Sequence, residues 1–79
     1  MTPEEKFSVV AESGQDGEPE PRAVIIDGQR HAVTGITDRW HDEQATYFKL
    51  AASDGHMYLV RCELETNFWS LVREWMLDA

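Results

Sequence analysis

The sequence predicts a small, mainly β domain built from antiparallel strands. Two Asp-Gly pairs, at residues 27–28 and 54–55, each lie between short runs rich in Val, Ile, Tyr, Phe and Leu. Asp-Gly between such runs is typical of a β-hairpin, because glycine accepts the positive φ of a tight turn. The chain has 79 residues, enough for one domain with one small core. We therefore expect four or five strands in one antiparallel sheet.

The start of the chain predicts an acidic, flexible tail over residues 1–21, ahead of a single domain over residues 22–79. Six acids stand against one lysine in the tail, a net of −5 in a chain whose total net charge is −8. Residues 12–21 are polar and interrupted by Gly and Pro. Such a composition is typical of a linker, because it buries too little apolar surface to offset the entropy of ordering.

The segment just before this linker, residues 6–11, allows two structures. Phe7, Val9 and Val10 fit a short strand. They also fit the end of a helix that begins at Pro3, since proline is favoured in the first turn of a helix. The sequence leaves this choice open.

Four strands with clear boundaries follow, and they are expected at residues 22–27, 29–40, 45–52 and 56–63. In the second of them the apolar phase changes between Val33, at an odd position, and Ile36 and Trp40, at even positions. Gly35 lies where the phase changes, so we expect a β-bulge there. Residues 41–44 predict a polar loop.

The turn at residues 53–55 allows two registers. A two-residue loop pairs Phe48 with Arg61, whereas a three-residue loop with Gly55 in the left-handed conformation pairs Phe48 with Val60. The second register separates the two faces better, so we expect it. In this register one face of the hairpin consists of Phe48, Leu50, Tyr58, Val60 and Cys62. The other face consists of Tyr47, Lys49, Met57, Leu59 and Arg61.

The last segment, residues 66–77, fits either a helix or a strand. Its apolar residues recur at helical spacing, with Thr66 or Asn67 as the cap. Its aromatic and β-branched content favours a strand instead. The alternative to an all-strand fold is therefore a helix over this segment, packed on a four-stranded sheet.

Hydrophobic and turn residues form an ordered pattern in the second half of the chain. They are Ile36, Asp38, Arg39 and Trp40, then Tyr47 and Phe48, then Asp54-Gly55, Tyr58-Leu59 and Trp69-Ser70-Leu71. Over residues 30–75 this pattern resembles a family of small uncharacterised bacterial domains. The resemblance implies an SH3-like sheet or barrel and a strand at the C-terminus. It also implies a DNA-repair context, because some relatives lie beside genes for accessory proteins of translesion polymerases.

Composition predicts a cytoplasmic protein and argues against nucleic acid as its ligand. Nothing at the N-terminus resembles a signal peptide, and no apolar run approaches the roughly 20 residues of a membrane helix. Cys62 is the single cysteine, so no internal disulfide can form. A net charge of −8 opposes binding to a phosphate backbone, although it is compatible with a local basic patch.

No residue pattern predicts catalysis, a cofactor or a metal site, and we expect a protein that is not an enzyme. The three histidines and Cys62 have no recognised ligand spacing. No Ser-His-Asp signature, phosphate loop or paired-carboxylate motif occurs. We interpret His41, Asp42 and Glu43 as a solvated loop, and Cys62 as a small buried residue.

Aromatic residues carry the functional hypothesis. Trp40 and Trp69 are interpreted as core residues, and Trp75 fits the core and the surface equally well. We predict that the protein binds a protein or peptide through an aromatic surface. The candidate residues of this surface are Trp75, Trp69, Tyr47, Lys49 and Arg61. The alternative ligand is single-stranded nucleic acid, since rings next to cations are typical of surfaces that stack bases and hold phosphates.

Overall fold

The computed structural model describes residues 7–14 and 17–76, which form six β-strands. They are Phe7–Ser13 (β1), Pro19–Ile26 (β2), Gln29–His41 (β3), Ala45–Ala52 (β4), His56–Glu63 (β5) and Trp69–Met76 (β6). The strands form one antiparallel sheet in chain order. The predicted mainly β fold is confirmed, but its strand count was too low. The described residues include no helix, so the C-terminal helix alternative is wrong and the last segment forms β6.

The sheet curls so that its inner face encloses the core. β1 approaches β6 across the open side of the sheet. Phe7 and Val9 of β1, and Trp69 and Leu71 of β6, pack against the same buried cluster. That cluster consists of Val24, Phe48, Leu50, Ala52, Tyr58, Val60 and Cys62. Burying each large side chain in it stabilises the fold by roughly 1.5–3 kcal/mol. The curled sheet is compatible with the small SH3-like barrel that the resemblance implied.

The first part of the chain does not form the predicted tail. β1 pairs with β2 along its length, with Phe7 opposite Ile26 and Val9 opposite Val24. Because side chains alternate across a strand, β1 turns Phe7 and Val9 toward the core and leaves Ser8 exposed. Two inward apolar residues therefore suffice to hold this strand, and the open choice before the linker resolves as a strand.

Two of the acidic residues that predicted a linker, Glu12 and Glu20, lie on the exposed side of this hairpin. Glu12 Oε2 is 3.4 Å from Arg22 Nε, and Glu20 Oε2 is 4.0 Å from Arg22 Nη2. Exposed ion pairs of this kind contribute at most about 1 kcal/mol, so apolar packing is what holds the hairpin. Residues 1–6 and 15–16, which the tail prediction also covered, lie outside the described residues.

The first Asp-Gly pair forms the turn of the predicted hairpin, and this turn has two residues. Ile26 pairs with Gln29, which leaves Asp27 and Gly28 as the loop. Their φ angles are 51° and 84°. Positive φ at both central residues is typical of the type I′ turn, whose twist matches that of the flanking strands.

The turn at residues 53–55 has the predicted three-residue form. Gly55 has a φ of 83°, and its N–H donates to the carbonyl oxygen of Ala52 at 3.1 Å. Phe48 pairs with Val60, so the predicted register between β4 and β5 is confirmed. All five residues predicted for the inner face of these strands are buried.

Replacing Gly55 by alanine is expected to lower the free energy of unfolding by about 1–2 kcal/mol, because a Cβ is strained at this positive φ. Gly35→Ala is the matched control. No atom lies within 4 Å of the place its Cβ would take, and its φ is not positive, so we expect a neutral or slightly stabilising effect. Urea denaturation measures both variants. Equal losses in the two would contradict the assigned role of Gly55.

β3 bends because it belongs to two ladders. Residues 29–32 pair with β2, and residues 33–41 pair with β4. Two register shifts leave Thr34 and Thr37 without partners on β4. The first shift is the bulge predicted at Gly35, and the second adds another bulge that the sequence did not predict.

Both bulged residues are threonines whose hydroxyls bond to β4. Thr34 Oγ1 donates to the carbonyl oxygen of Ala51 at 3.2 Å, and Thr37 Oγ1 donates to that of Lys49 at 3.3 Å. These side chains supply hydrogen bonds to β4 where the regular ladder is interrupted. On the other side, Pro19 and Pro21 give β2 no N–H with which to continue its ladder with β3. β3 is therefore free to turn away from β2 and follow β4.

Candidate interaction surface

The outer face is the face of β3–β6 that points away from the core. Cross-strand partners lie side by side on the same face of an antiparallel sheet, so the registers arrange this face in three rows. The rows, each from β3 to β6, are Trp40, Tyr47, Arg61 and Ser70; Asp38, Lys49, Leu59 and Arg73; and Gly35, Ala51, Met57 and Trp75. Four of the five predicted surface residues lie here, and the fifth, Trp69, does not.

A flat aromatic stack forms one end of the outer face. The ring centroids of Trp40 and Tyr47 are 5.5 Å apart and the rings are inclined by only 9°. Trp40 is 40% exposed, so its interpretation as a core residue is wrong. Tyr47 Oη accepts a hydrogen bond from Arg61 Nε at 3.4 Å and donates one to Asp42 Oδ2 at 3.3 Å. These two hydrogen bonds fix the orientation of the Tyr47 ring on which Trp40 stacks.

The second bulge in β3 explains why Trp40 points outward. In a regular strand Ile36 and Trp40 would share a face, because they are four residues apart. The extra residue at Thr37 reverses the alternation, so Trp40 turns outward and Arg39 turns inward. The guanidinium carbon of Arg39 lies 5.7 Å from the centre of the Phe48 ring, within the range of a cation–π contact.

Acidic neighbours hold Arg61 in place. The hydrogen bond to Tyr47, and then the charges of Glu63 and Asp42, raise the pKa of the Arg61 guanidinium above its usual value. Glu63 Oε2 lies 3.6 Å from Arg61 Nη1. Arg61 is therefore a partly neutralised cation, and its main contribution to the outer face is to orient Tyr47.

The loop after β3 is organised by Asp42. Its Oδ1 accepts hydrogen bonds from the N–H groups of Gln44 and Ala45, both at 2.8 Å, and these bonds lower the pKa of the carboxyl. His41 and Glu43 beside it are exposed. In the described part of the chain no three ligand-type side chains are grouped to bind a metal ion.

The other end of the outer face carries a shallow cavity of about 380 Å³. It is lined by Lys49, Leu59, Arg73 and Trp75. Trp75 is partly buried beside its register partner Met57 on the outer face. The sequence left open whether Trp75 belongs to the core or to the surface; it lies on the surface and borders the cavity. No carboxylate of the described residues lies within 4.0 Å of Lys49 or Arg73.

Trp69 lies on the inner face. It pairs with Cys62, and its ring centroid is 5.5 Å from that of Phe48. Its interpretation as a core residue agrees with this packing. A register shift leaves Val72 without a partner on β5, which puts Trp69 and Trp75 on opposite faces although they are six residues apart.

Cys62 is a buried thiol, as interpreted from the sequence. It is 2% exposed, and burial raises its pKa. A thiol of this kind is a weak nucleophile, because the reactive thiolate is disfavoured.

Sequence reasoning missed a polar cluster around the turn at residue 54. Tyr58 Oη donates to Asp54 Oδ2, and the N–H of His56 donates to Asp54 Oδ1 at 3.0 Å. His31 Nε2 lies 3.9 Å from Asp54 Oδ2. His56 Nδ1 is 2.8 Å from Glu74 Oε2, a hydrogen bond when that nitrogen carries the proton. Residues 54, 56 and 58 are two apart, and side chains at this spacing lie on the same side of an extended chain. This spacing could have predicted part of the cluster.

The cluster shifts the pKa of two of its members. Burial raises the pKa of Asp54, but the hydrogen bonds from Tyr58 and His56 and the charges of His31 and His56 lower it more, to below its usual 3.8. Burial and the contact with Asp54 raise the pKa of Tyr58. This pair is therefore held as a carboxylate and a neutral phenol.

Comparison with family models, curated proteins and solved structures finds no match to this chain. Nowhere in residues 7–14 and 17–76 is there a helix with the length and hydropathy needed to cross a membrane. The function is therefore inferred from the geometry of the outer face.

Proposed function

We propose that this protein is a non-catalytic interaction module that binds a protein or peptide on its outer face. The observation that carries the proposal is the exposed Trp40, stacked on Tyr47 and sharing its face with Trp75. Aromatic side chains supply large, rigid contact area and are enriched in the residues that dominate binding energy. The core does not require Trp40, since Arg39 covers Phe48 in its place.

The dimensions of the outer face suit a short segment of a partner. Four neighbouring strands span about 14 Å, and three rows of outward residues span about 13–14 Å along the strands. An area of this size contacts a few residues of an extended peptide, and it is much smaller than a standard protein–protein interface. A peptide, or a short exposed segment of a larger protein, is the favoured ligand.

Single-stranded nucleic acid is the second candidate, in the DNA-repair context that the resemblance implied. The Trp40–Tyr47 stack next to Arg61 favours it, because bases stack on such rings. The net charge of −8 and the ion pair between Arg61 and Glu63 oppose it. Binding along a phosphate backbone depends on several cations that can release counterions from the phosphates.

Selection from a displayed library of random peptides, with the full chain as bait, tests the proposal. We expect enriched peptides whose affinity falls about tenfold or more in Trp40→Ala, the loss expected for an aromatic anchor. Met76→Ala is the matched control, because Met76 is 70% exposed but pairs with His56 on the other face. An absence of enrichment, or equal losses in the two variants, would contradict peptide binding on the outer face.

A labelled oligothymidylate, titrated into the full chain at low salt, separates the two candidate ligands. The peptide-binding proposal expects no binding. Salt-sensitive micromolar binding that is lost in the double variant Lys49→Glu/Arg61→Glu would overturn it in favour of nucleic acid.

A further inference from the structure

We infer that the peptide bound by the outer face is acidic, with two carboxylates three residues apart and an apolar side chain between them. Its site is the cavity of Lys49, Leu59, Arg73 and Trp75. This inference rests on the proposed function and specifies the chemistry of the ligand.

The cations that the structure describes divide into those with a carboxylate neighbour and those without one. Fifteen acids outnumber seven Lys and Arg residues. Arg22, Arg39 and Arg61 each lie within 4 Å of a carboxylate, at 3.4, 3.8 and 3.6 Å. Lys49 and Arg73 have no such partner among the residues that the structure describes. Among the described residues Arg30 also has none, but it lies in the part of β3 that pairs with β2. Lys49 and Arg73 border one cavity, and there they are complementary to carboxylates of a ligand.

An apolar floor lies between the two cations. Leu59 stands between Lys49 and Arg73 in the same row, and Trp75 stands beside Arg73 in the next row. Both apolar side chains are only partly buried. The two cations therefore flank an apolar contact, and Asp38 lies on the far side of Lys49 in the same row. A ligand should carry a carboxylate over each cation and end before Asp38.

The distance between the cations sets the spacing of the ligand's carboxylates. Lys49 on β4 and Arg73 on β6 are two strand spacings apart, about 9.6 Å. A polyproline II peptide rises about 3.1 Å per residue with three residues per turn, so its residues i and i+3 point the same way about 9.3 Å apart. A peptide in this conformation, crossing the strands, places two carboxylates over the two cations. It turns the residue after the first carboxylate about 120° to the side, where it can contact Trp75 in the neighbouring row. A proline between them favours the bound conformation in advance.

A titration followed by ¹⁵N NMR tests this with three blocked peptides, each flanked by Gly and Ser. The first carries Glu-Leu-Pro-Glu, the second Gln-Leu-Pro-Gln and the third Glu-Ala-Pro-Glu. We expect the first to shift the amide signal of Leu59 and the indole signal of Trp75, with a Kd of about 0.1–1 mM. The glutamine peptide should bind about tenfold more weakly, and the alanine peptide severalfold more weakly. Added salt should weaken the two glutamate peptides and leave the affinity of the glutamine peptide unchanged.

Charge reversal locates the contact. Lys49→Glu should weaken the first peptide about tenfold, whereas Arg30→Glu should leave its affinity within about twofold. Arg30 is the matched control because it is exposed and lies in the part of β3 that pairs with β2, away from the cavity.

Two results would overturn the inference. If the glutamine peptide binds as tightly at the same residues, the ligand is not selected for its acids, while peptide binding on the outer face still stands. If no peptide shifts Leu59 or Trp75 at several millimolar, the proposed motif is wrong. The library selection then decides the proposed function separately.

Discussion

Val9→Asp lowers the free energy of unfolding by about 2–4 kcal/mol, enough to leave much of a domain this small unfolded. Val9 pairs with the buried Val24 and packs against the core, so an aspartate there places a charge against apolar side chains. Urea denaturation followed by tryptophan fluorescence measures the loss.

Ser8→Asp is the control for this result. Ser8 is the neighbouring residue of β1, but it is exposed on the other side of the strand. We expect its free energy of unfolding to stay within about 0.5 kcal/mol of the wild-type value. If both variants are as stable as the wild type, β1 contributes nothing, and the first 21 residues behave as the tail that their composition predicted.

Asp54→Ala lowers the free energy of unfolding by about 2–3 kcal/mol at neutral pH. It removes the acceptor of the buried Tyr58 hydroxyl and the side-chain bond that closes the turn at His56. A buried hydroxyl without a partner then bears its full desolvation cost. Asp27→Asn is the matched control, because Asp27 is the aspartate of the other Asp-Gly turn, where asparagine is also favoured. It should change stability by no more than about 0.5 kcal/mol.

The effect of Asp54 depends on pH in a defined direction. Its folded pKa lies below the usual 3.8, so its charged form stabilises the fold above that pH, and this contribution is lost as pH falls through the folded pKa. The difference in free energy of unfolding between the wild type and Asp54→Ala should therefore shrink below about pH 4.

Tyr58 affects stability at high pH. Its pKa is raised above the usual 10.0, so the free energy of unfolding falls as pH rises beyond 10. Denaturation midpoints measured from pH 2.5 to 11 check both limbs. A difference that stays constant from pH 7 down to 2.5 would contradict the role of the carboxylate.

The hairpins were predictable because turn chemistry acts locally. Asp27-Gly28 and Gly55 adopt the positive φ angles that their residue types allow, and each turn fixes the register of the strands it joins. From the second turn the inner face of β4 and β5 followed directly.

The hairpin of β1 and β2 was not predictable in this way. Phe7 and Val9 of β1 pack against a buried cluster whose members other than Val24 come from residues 48–62, which are distant in sequence. The exposed residues of the hairpin are polar and include Glu12 and Glu18, so the average composition of the segment hides the two inward positions. Local composition therefore indicated a linker where long-range packing forms an edge strand.

The outer face was only partly predictable because bulges change which way a side chain points. The extra residue at Thr37 turns Trp40 to the outer face and Arg39 to the inner face. The extra residue at Val72 places Trp69 and Trp75 on opposite faces. Simple alternation grouped Trp40 with the inward Ile36 and thus missed the stack of Trp40 on Tyr47. Tyr47, Lys49 and Arg61 were placed together correctly, since no bulge interrupts β4.

The order of the strands also bears on how fast the protein folds. Every hydrogen-bonded pair joins strands that are consecutive in the chain, so each pairing closes only a short loop and loses little chain entropy. Low contact order of this kind is unusual for an all-β protein, whose folding is commonly slowed by pairings between distant segments. The approach of β1 to β6, which are distant in the chain, is less extensive than the contact between any two neighbouring strands of the described sheet. The five hairpins can therefore form one after another, and we expect the approach of β1 to β6 across the open side of the curled sheet to follow them.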